Sequence, residues 1–518
     1  MPRIRATSRS IVAVGVAVAV AALSTAACGG GSSSGSTTSD DGVLRFATFT
    51  VPDTFDPVKR NSGTSGLNFL FPVYDALIRT NADGSLAPGL ATEWKLQQDG
   101  LLLTLREGVT FSDGEAFDAA AAAGNIERCR AAGGGCAATL DQVTGTEVID
   151  PQTLLVTTDG PAPSLPFALT TGAGMMVSPA AFDSPDLGRL PVGAGAYVLD
   201  EKATVAGSTW VYTKNPDYWD PEAQTLDRIE LVVIDSSQQR VAAMRTGQVD
   251  ASMIGDAEER DSYEQAGFDT TVAEGGDAKG ILVVDPTGPF ADQRVRQAVG
   301  YALDREALTG TPARKDMSTP STQLFAPGSV GNVDAPAFAY EYDPEKAKAL
   351  LAEAGVGKPK LVLPANPGPL NKSETEAVAG MLNAVGFDAS VTQPPPQNVT
   401  REMFSGTYPL AYTPVFVPDA ASLAGSLDPE GGFMNPGGHE LGEANKLADE
   451  AANAAVDDPE RSAELFGDMM ATLAEDGYVI PVYWSPTGVA FNDDVHGLVP
   501  WAGAFMGPPF YGVTVGGK

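Results

Sequence analysis

Histidine, cysteine and basic charge are all scarce in this chain of 518 residues, and each scarcity narrows what it does. There are two histidines, and His439-Glu440-Leu441-Gly442-Glu443 lacks the second histidine of a zinc-protease helix. His439 and Glu443, one helical turn apart, could pair on a metal, against the plainer reading of a solvated face. No Ser-x-x-Lys occurs, and the one Gly-x-Ser-x-Gly, Gly31 to Gly35, sits in a low-complexity stretch where no strand-turn-helix elbow can hold a nucleophile. Lys and Arg number 33 against 66 Asp and Glu, which disfavours a nucleic-acid partner. The acids are dispersed through amphipathic sequence and read as a solvated surface. Beyond Leu23 no apolar run approaches the ~20 residues of a membrane-spanning helix.

What is present begins with an export signal. Arg3, Arg5 and Arg9 precede an apolar stretch from Ile11 to Leu23, closed by Ser24, Thr25, Ala26 and Ala27. Cys28 follows, and then a Gly/Ser/Thr run to Ser39 that has nothing to bury. Residues 1–27 thus read as a signal peptide and 28–42 as a flexible tether. Removing the signal strips three arginines and no acid, taking the net charge from −33 to −36. The small-small-Cys junction resembles a bacterial lipobox, with Thr25 where that motif usually has Leu; the alternative is an ordinary secretory signal with a chance cysteine. If Cys28 is acylated, several chains at ~0.8 kcal/mol per buried CH2 anchor the protein stably. The tether then lets the body wander about 20 Å from the surface.

The other two cysteines, Cys129 and Cys136, belong in an export compartment that permits a disulfide. On one continuous helix their Cα atoms would stand about 10.5 Å apart, beyond the ~7 Å bridging limit. The chain must turn between them, and Gly133-Gly134-Gly135 supplies the turn.

The body of about 475 residues is too long for one core. Strands are predicted near 43–50, 101–106, 153–158, 209–214, 228–234, 280–284, 360–363 and 478–484. Among them stand helices with legible ends. Asp343-Pro344 and Asp458-Pro459 are N-cap and first-turn pairs, Gly355 and Gly477 are stops, and Val295, Ala298, Val299, Ala302 and Leu303 form an apolar stripe. Strands mixed irregularly with helices predict an α/β body.

From Leu101 to Asp118 the order of residues, LLLTLREGVTFSDGEAFD, becomes specific. Other marked stretches follow a consistent order: Thr54 to Pro57, Val73 to Leu77, Leu86 to Trp94, Pro191 to Tyr197, Asn215 to Trp219, Gly247 to Asp250, Arg294 to Ala298 and Ala347 to Gly355. Together they resemble the family 5 extracytoplasmic solute-binding proteins, the peptide and nickel receptors of ABC importers. Most of these stretches read as scaffold: Asp113-Gly114 as a tight turn, Gly193 and Gly195 as positive-φ positions, Tyr218 and Trp219 as core.

The resemblance implies a two-lobed α/β fold of the periplasmic-binding-protein type II, large peptide-binding class. Lobe I would span 43–277 and 488–518, with a subdomain at 68–190, and lobe II 278–487. It further implies an extracytoplasmic, lipid-anchored monomer that captures an oligopeptide or peptide-like solute and docks on ABC permease subunits, without a cofactor or catalysis. Candidate ligand-binding residues from the family layout are Phe49, Thr50, Thr171, Gly172, Tyr412, Phe416, Asp419, Asn435 and Trp484. Peptide-binding relatives place a Trp and then an Asp near 411–419 to clasp an α-amine; here the Trp is missing and Asp419 is the available acid. Val283-Val284-Asp285 stands where many relatives have Phe-Asn, removing an expected ligand contact. A non-peptide solute, an exported hydrolase and an envelope scaffold remain the competing readings.

Overall fold

In the computed structural model the described residues are 42–60, 66–132, 134–273, 277–326, 332, 339–395, 398–415, 417–485, 487–500 and 510–516. The predicted signal, Cys28 and Phe416 lie outside them. The strand Val43–Thr48 sends Leu44 and Phe46 into one core and Ala47 into another on its opposite face. Covered on both faces, it lies at the centre of a seven-stranded sheet. The order is Asp269–Val272, Gly488–Phe491, Ala251–Ile254, Val43–Thr48, Arg228–Val233, Thr209–Lys214 and Tyr197–Leu199. Gly488–Phe491, from far down the chain, is inserted antiparallel between two strands that precede it.

The intervening chain builds a second sheet of four strands, ordered Thr319–Pro320, Val479–Ser485, Asp277–Val283 and Leu410–Val415. Alternation again divides its side chains. Ile281, Val283, Tyr412, Ile480 and Val482 pack under helices Gln293–Ala302, Pro344–Ala354 and Pro369–Val385. Leu282, Val284, Ala411, Val415 and Val479 pack under Ala420–Ser426, Glu443–Ala454 and Pro459–Glu475. A third, antiparallel sheet of Ala91–Gln97, Gly100–Leu105, Thr153–Thr158 and Val143–Asp150 carries its own core, in which the alanines of helix Ala119–Ala132 lie close against the strands.

The predicted caps are in place. Asp343 accepts from Lys346 N at 2.9 Å and Asp458 from Arg461 N at 3.1 Å, each worth about 1 kcal/mol. Gly355 closes its helix in the left-handed region at φ 66°. Gly193 and Gly195 act differently from the positive-φ role expected of them. They fall outside the left-handed set, and close approach is what demands glycine: a Cβ on Gly193 would lie 2.2 Å from Val73 O, and one on Gly195 2.3 Å from Val73 C. Cys129 and Cys136 are joined by a disulfide with Cα atoms 5.5 Å apart, between helices Ala119–Ala132 and Gly134–Thr139.

Candidate functional site

Strand register fixes the edges of the two large sheets between which the chain crosses. In the first sheet Ile254 and Val272 both pair with Gly488, and Thr48 Oγ1 reaches Met253 Sδ at 3.4 Å. The C-terminal ends of the strands holding Thr48, Ile254 and Val272 therefore share one edge. In the second sheet Asp277 pairs with Ser485, while Ala278 pairs with both Trp484 and Val415. The chain passes between sheets at these edges, and the two passages lie side by side, with Ala273 N donating to Thr487 O at 2.9 Å.

Phe49 and Thr50 emerge from the first sheet at this edge. The Phe49 ring lies 4.9 Å below the Arg240 guanidinium, which a buried pair with Glu259 at 2.6 Å holds in place. Tyr263 and Gly255 N complete that network by donating to the same carboxylate. Trp484 and Asp419 belong to the crossing edge of the second sheet. The indole N–H of Trp484 is spent on Leu324 O at 3.2 Å, leaving its half-buried ring as the usable surface. Asp419 caps helix Ala420–Ser426 by accepting from Ser422 N at 2.7 Å. Burial pushes its carboxyl up, partly opposed by that hydrogen bond, and no cation pairs with it among the described residues.

The remaining candidates are placed differently. Tyr412 is buried in the core of the second sheet, its ring under Lys279 Nζ at 4.6 Å. Asn435 is also buried and spends its amide on Leu427 O, His439 O and His439 N, so it orders a loop. Thr171 donates to Ala168 O at 2.7 Å in the turn after helix Leu165–Ala168, and no hydrogen bond joins Thr171 or Gly172 to the other candidates among the described residues. Asp285, seven residues beyond Ala278, lies at the end of its strand remote from the crossings and faces His439 Nε2 at 3.5 Å. His439 and Glu443 do not share a helix, because the helix begins at Glu443 after Gly442 at φ 66°; Glu443 pairs with Lys446. No cluster of three metal-ligating side chains occurs among the described residues.

Sequence reasoning missed a buried charge network at the same edge. Lys279 Nζ meets Glu374 Oε2 at 2.5 Å, Arg314 Nε meets Glu374 Oε1 at 2.6 Å, and the Tyr483 hydroxyl donates to Glu374 at 3.0 Å. Burial raises the Glu374 carboxyl, but the two cations outweigh it and hold the group below its ordinary value; burial pulls Lys279 down. The available signal was Lys279 itself, a lysine opening an apolar strand. The segment bearing Arg314 also bridges the sheets, since Ala257 N donates to Ala313 O and Arg260 Nη1 to Asp316 O. A second approach between parts of the chain lies at Gly425, whose added Cβ would stand 3.2 Å from Gln142 Nε2.

Comparison with known proteins agrees with this architecture. The family model for bacterial extracellular solute-binding proteins, family 5, middle region, matches residues 85–433. The chain belongs to this family. It is 30% identical over 325 residues to the glutathione-binding protein GsiB of Escherichia coli K12, an alignment covering 60% of each protein. The chain thus spans about 60% of that curated relative's length. Among solved structures it resembles the periplasmic binding protein AgaA of A. tumefaciens R10 in complex with agropinic acid (TM-score 0.79, 23% identity, 92% of this chain and 99% of that one). It also resembles DppA of Helicobacter pylori in complex with the peptide STSA (TM-score 0.78, 20% identity, 92% and 98%). The family 5 fold is therefore a two-lobed α/β binding protein. No helix among the described residues is long and apolar enough to cross a membrane.

Proposed function

We propose that this chain is the substrate-binding receptor of an ABC importer, which captures a peptide-like solute between two lobes and passes it unaltered to a membrane permease. The paired crossings between the two large sheets, with Phe49, Thr50, Trp484 and Asp419 on the facing edges, carry this reading. In this proposal lobe I comprises 43–277 and 488–518, including the 68–190 subdomain, and lobe II 278–487. Asp419 clasps an ammonium of the ligand, Phe49 and Trp484 supply apolar surfaces together with Phe416, and Tyr412 and Asn435 support the wall from behind. The receptor is non-enzymatic, exported by the 1–27 signal and held at the outer face of the cell membrane by acylated Cys28. Closure follows only if the solute touches both lobes, because differential affinity alone shifts an open–closed balance.

Glutathione, named for the E. coli relative, and peptides, as in the H. pylori complex, support a peptide-like cargo. The agropinic acid complex supports a second reading in which the same cleft takes a non-peptide solute. Mass spectrometry of whatever co-purifies with the full chain tests both, with a short peptide or a peptide-like thiol expected. Replacing Phe416 or Trp484 by Ala should weaken binding of that compound about tenfold in calorimetry. Unchanged affinity in both variants removes them from the site.

A further inference from the structure

We propose that the C-terminal end of helix Ala420–Ser426 meets Gln142 when the two lobes close, and that Asp141 and Asp428, flanking that contact with like charges, make closing proton-coupled, so that the receptor shuts more readily in mildly acid surroundings. This rests on the receptor reading above and adds a regulation of the same cleft. Gln142 directly precedes strand Val143–Asp150 of the third sheet, in the subdomain assigned to lobe I, and Gly425 lies in lobe II. A Cβ added to Gly425 would stand 3.2 Å from Gln142 Nε2, so the two surfaces touch there, away from both crossing edges.

The charges surround this contact. Asp141 is the residue before Gln142, and Asp428 comes three residues after Gly425, in the turn closed by Asp428 N donating to Gly425 O at 3.2 Å. Both are exposed, so protons reach them. Asp141 Oδ1 accepts from Gln142 N at 2.7 Å and Asp428 Oδ1 from Glu430 N at 2.6 Å, and no cation pairs with either among the described residues. Withdrawal from water in the narrow gap raises the Asp141 carboxyl, and the charge of Asp428 raises it further, against the hydrogen bond from Gln142 N. The cations on the neighbouring elements are committed elsewhere, Lys59 and Arg128 to Asp56 and Arg130 to Glu127 and Thr144 O. On the segments packed about Asp428 the other titratable groups are Glu430, His439, which faces Asp285, and the Glu443–Lys446 pair.

Opening separates the two acids and closing presses them together. Two carboxylates brought together resist both being ionised, so the closed form holds a proton more tightly than the open one. Closing is then favoured as pH falls through the raised value of Asp141 and opposed above it. The same seven-residue helix has Asp419 as its N-cap, about 10 Å from the end that meets Gln142, so a solute held by Asp419 and the charged contact act on one rigid element.

Double electron–electron resonance on the full chain freed of ligand tests this, with spin labels on Ile149→Cys in the third sheet and Asn453→Cys on helix Glu443–Ala454, both exposed, and with Cys28→Ser so that only these two labels report. The expected result is a shorter-distance population whose ratio to the longer one rises about three- to tenfold from about pH 7.5 to about pH 5. Asp141→Asn and Asp428→Asn, which can keep both backbone hydrogen bonds, should each bring that ratio at about pH 7.5 to the acid value and leave it flat with pH. Asp428→Lys should reverse the trend. Gly425→Trp should deplete the shorter-distance population throughout, and Gln142→Trp replaces it should it not fold. Distances that ignore pH, a pH dependence that survives in Asp141→Asn and so belongs to His439, or a tryptophan variant that closes as the parent does, each overturn the proposal and leave the receptor reading standing. Glutathione and tri-alanine are then added at neutral pH. If neither shortens the distance, the peptide-like cargo is overturned, while the ligand-free series still decides the proton coupling.

Discussion

Asp419 joins structure to proposed function in one side chain: it caps a helix with one oxygen and holds a charge that burial disfavours. Asparagine caps about as well as aspartate, so Asp419→Asn separates the two roles. With its carboxyl raised in the fold, Asp419 costs the fold stability as pH rises from the ordinary 3.8 through that raised value, and the cost is complete above it. The variant should therefore melt no lower than the parent at pH 7, gain nothing at acid pH, and bind an amine-bearing ligand about tenfold or more weakly; calorimetry and melting curves check this. Glu374 behaves oppositely. Its carboxyl is lowered, so its stabilisation is complete above the ordinary 4.5 and drains away as pH falls through the lower folded value. Glu374→Gln leaves two cations buried without a counter-charge and should cost about 3–5 kcal/mol in urea unfolding at pH 7. Asp419 stands out in the sequence only as the acid available in a stretch where peptide-binding relatives have a Trp that this chain lacks. Of the buried network only Lys279, a lysine in an apolar strand, left a signal; its partnership with Arg314 and Glu374 is made by folding, and no local pattern records it.

At the scale of elements, the signals that were read were those that act locally. The Asp-Pro starts, the glycine stops and the alternating strands all specify their own geometry, and the structure follows them. Helix Ala119–Ala132 and strand Leu410–Val415 gave weaker signals. The first is alanine-rich with apolar residues on all sides, and the second carries Pro414, which edge position permits. Gly193 shows a requirement that only the tertiary structure reveals. Its added methyl would meet Val73 O and the Tyr74 ring at 2.2 and 2.3 Å, so Gly193→Ala should lower stability by about 1–3 kcal/mol or more, read as a lower urea midpoint with an unchanged slope.

For the whole molecule, the arrangement that matters is the return of Gly488–Phe491 into the first sheet. It makes the chain leave one sheet, build another and come back, so that in the proposed receptor two short passages are the covalent joints about which the lobes would move. The segment docked through Ala313 and Asp316 adds a third contact beside the same edge. Sequence resemblance was informative here because many weak stretches in one order specify an architecture, whereas no stretch specifies a cargo. The most direct test is small-angle X-ray scattering on the full chain, first stripped of ligand and then saturated with the compound that co-purifies with it. The account predicts a smaller radius of gyration and a shorter maximum dimension on saturation. Identical scattering curves at confirmed full occupancy would contradict it.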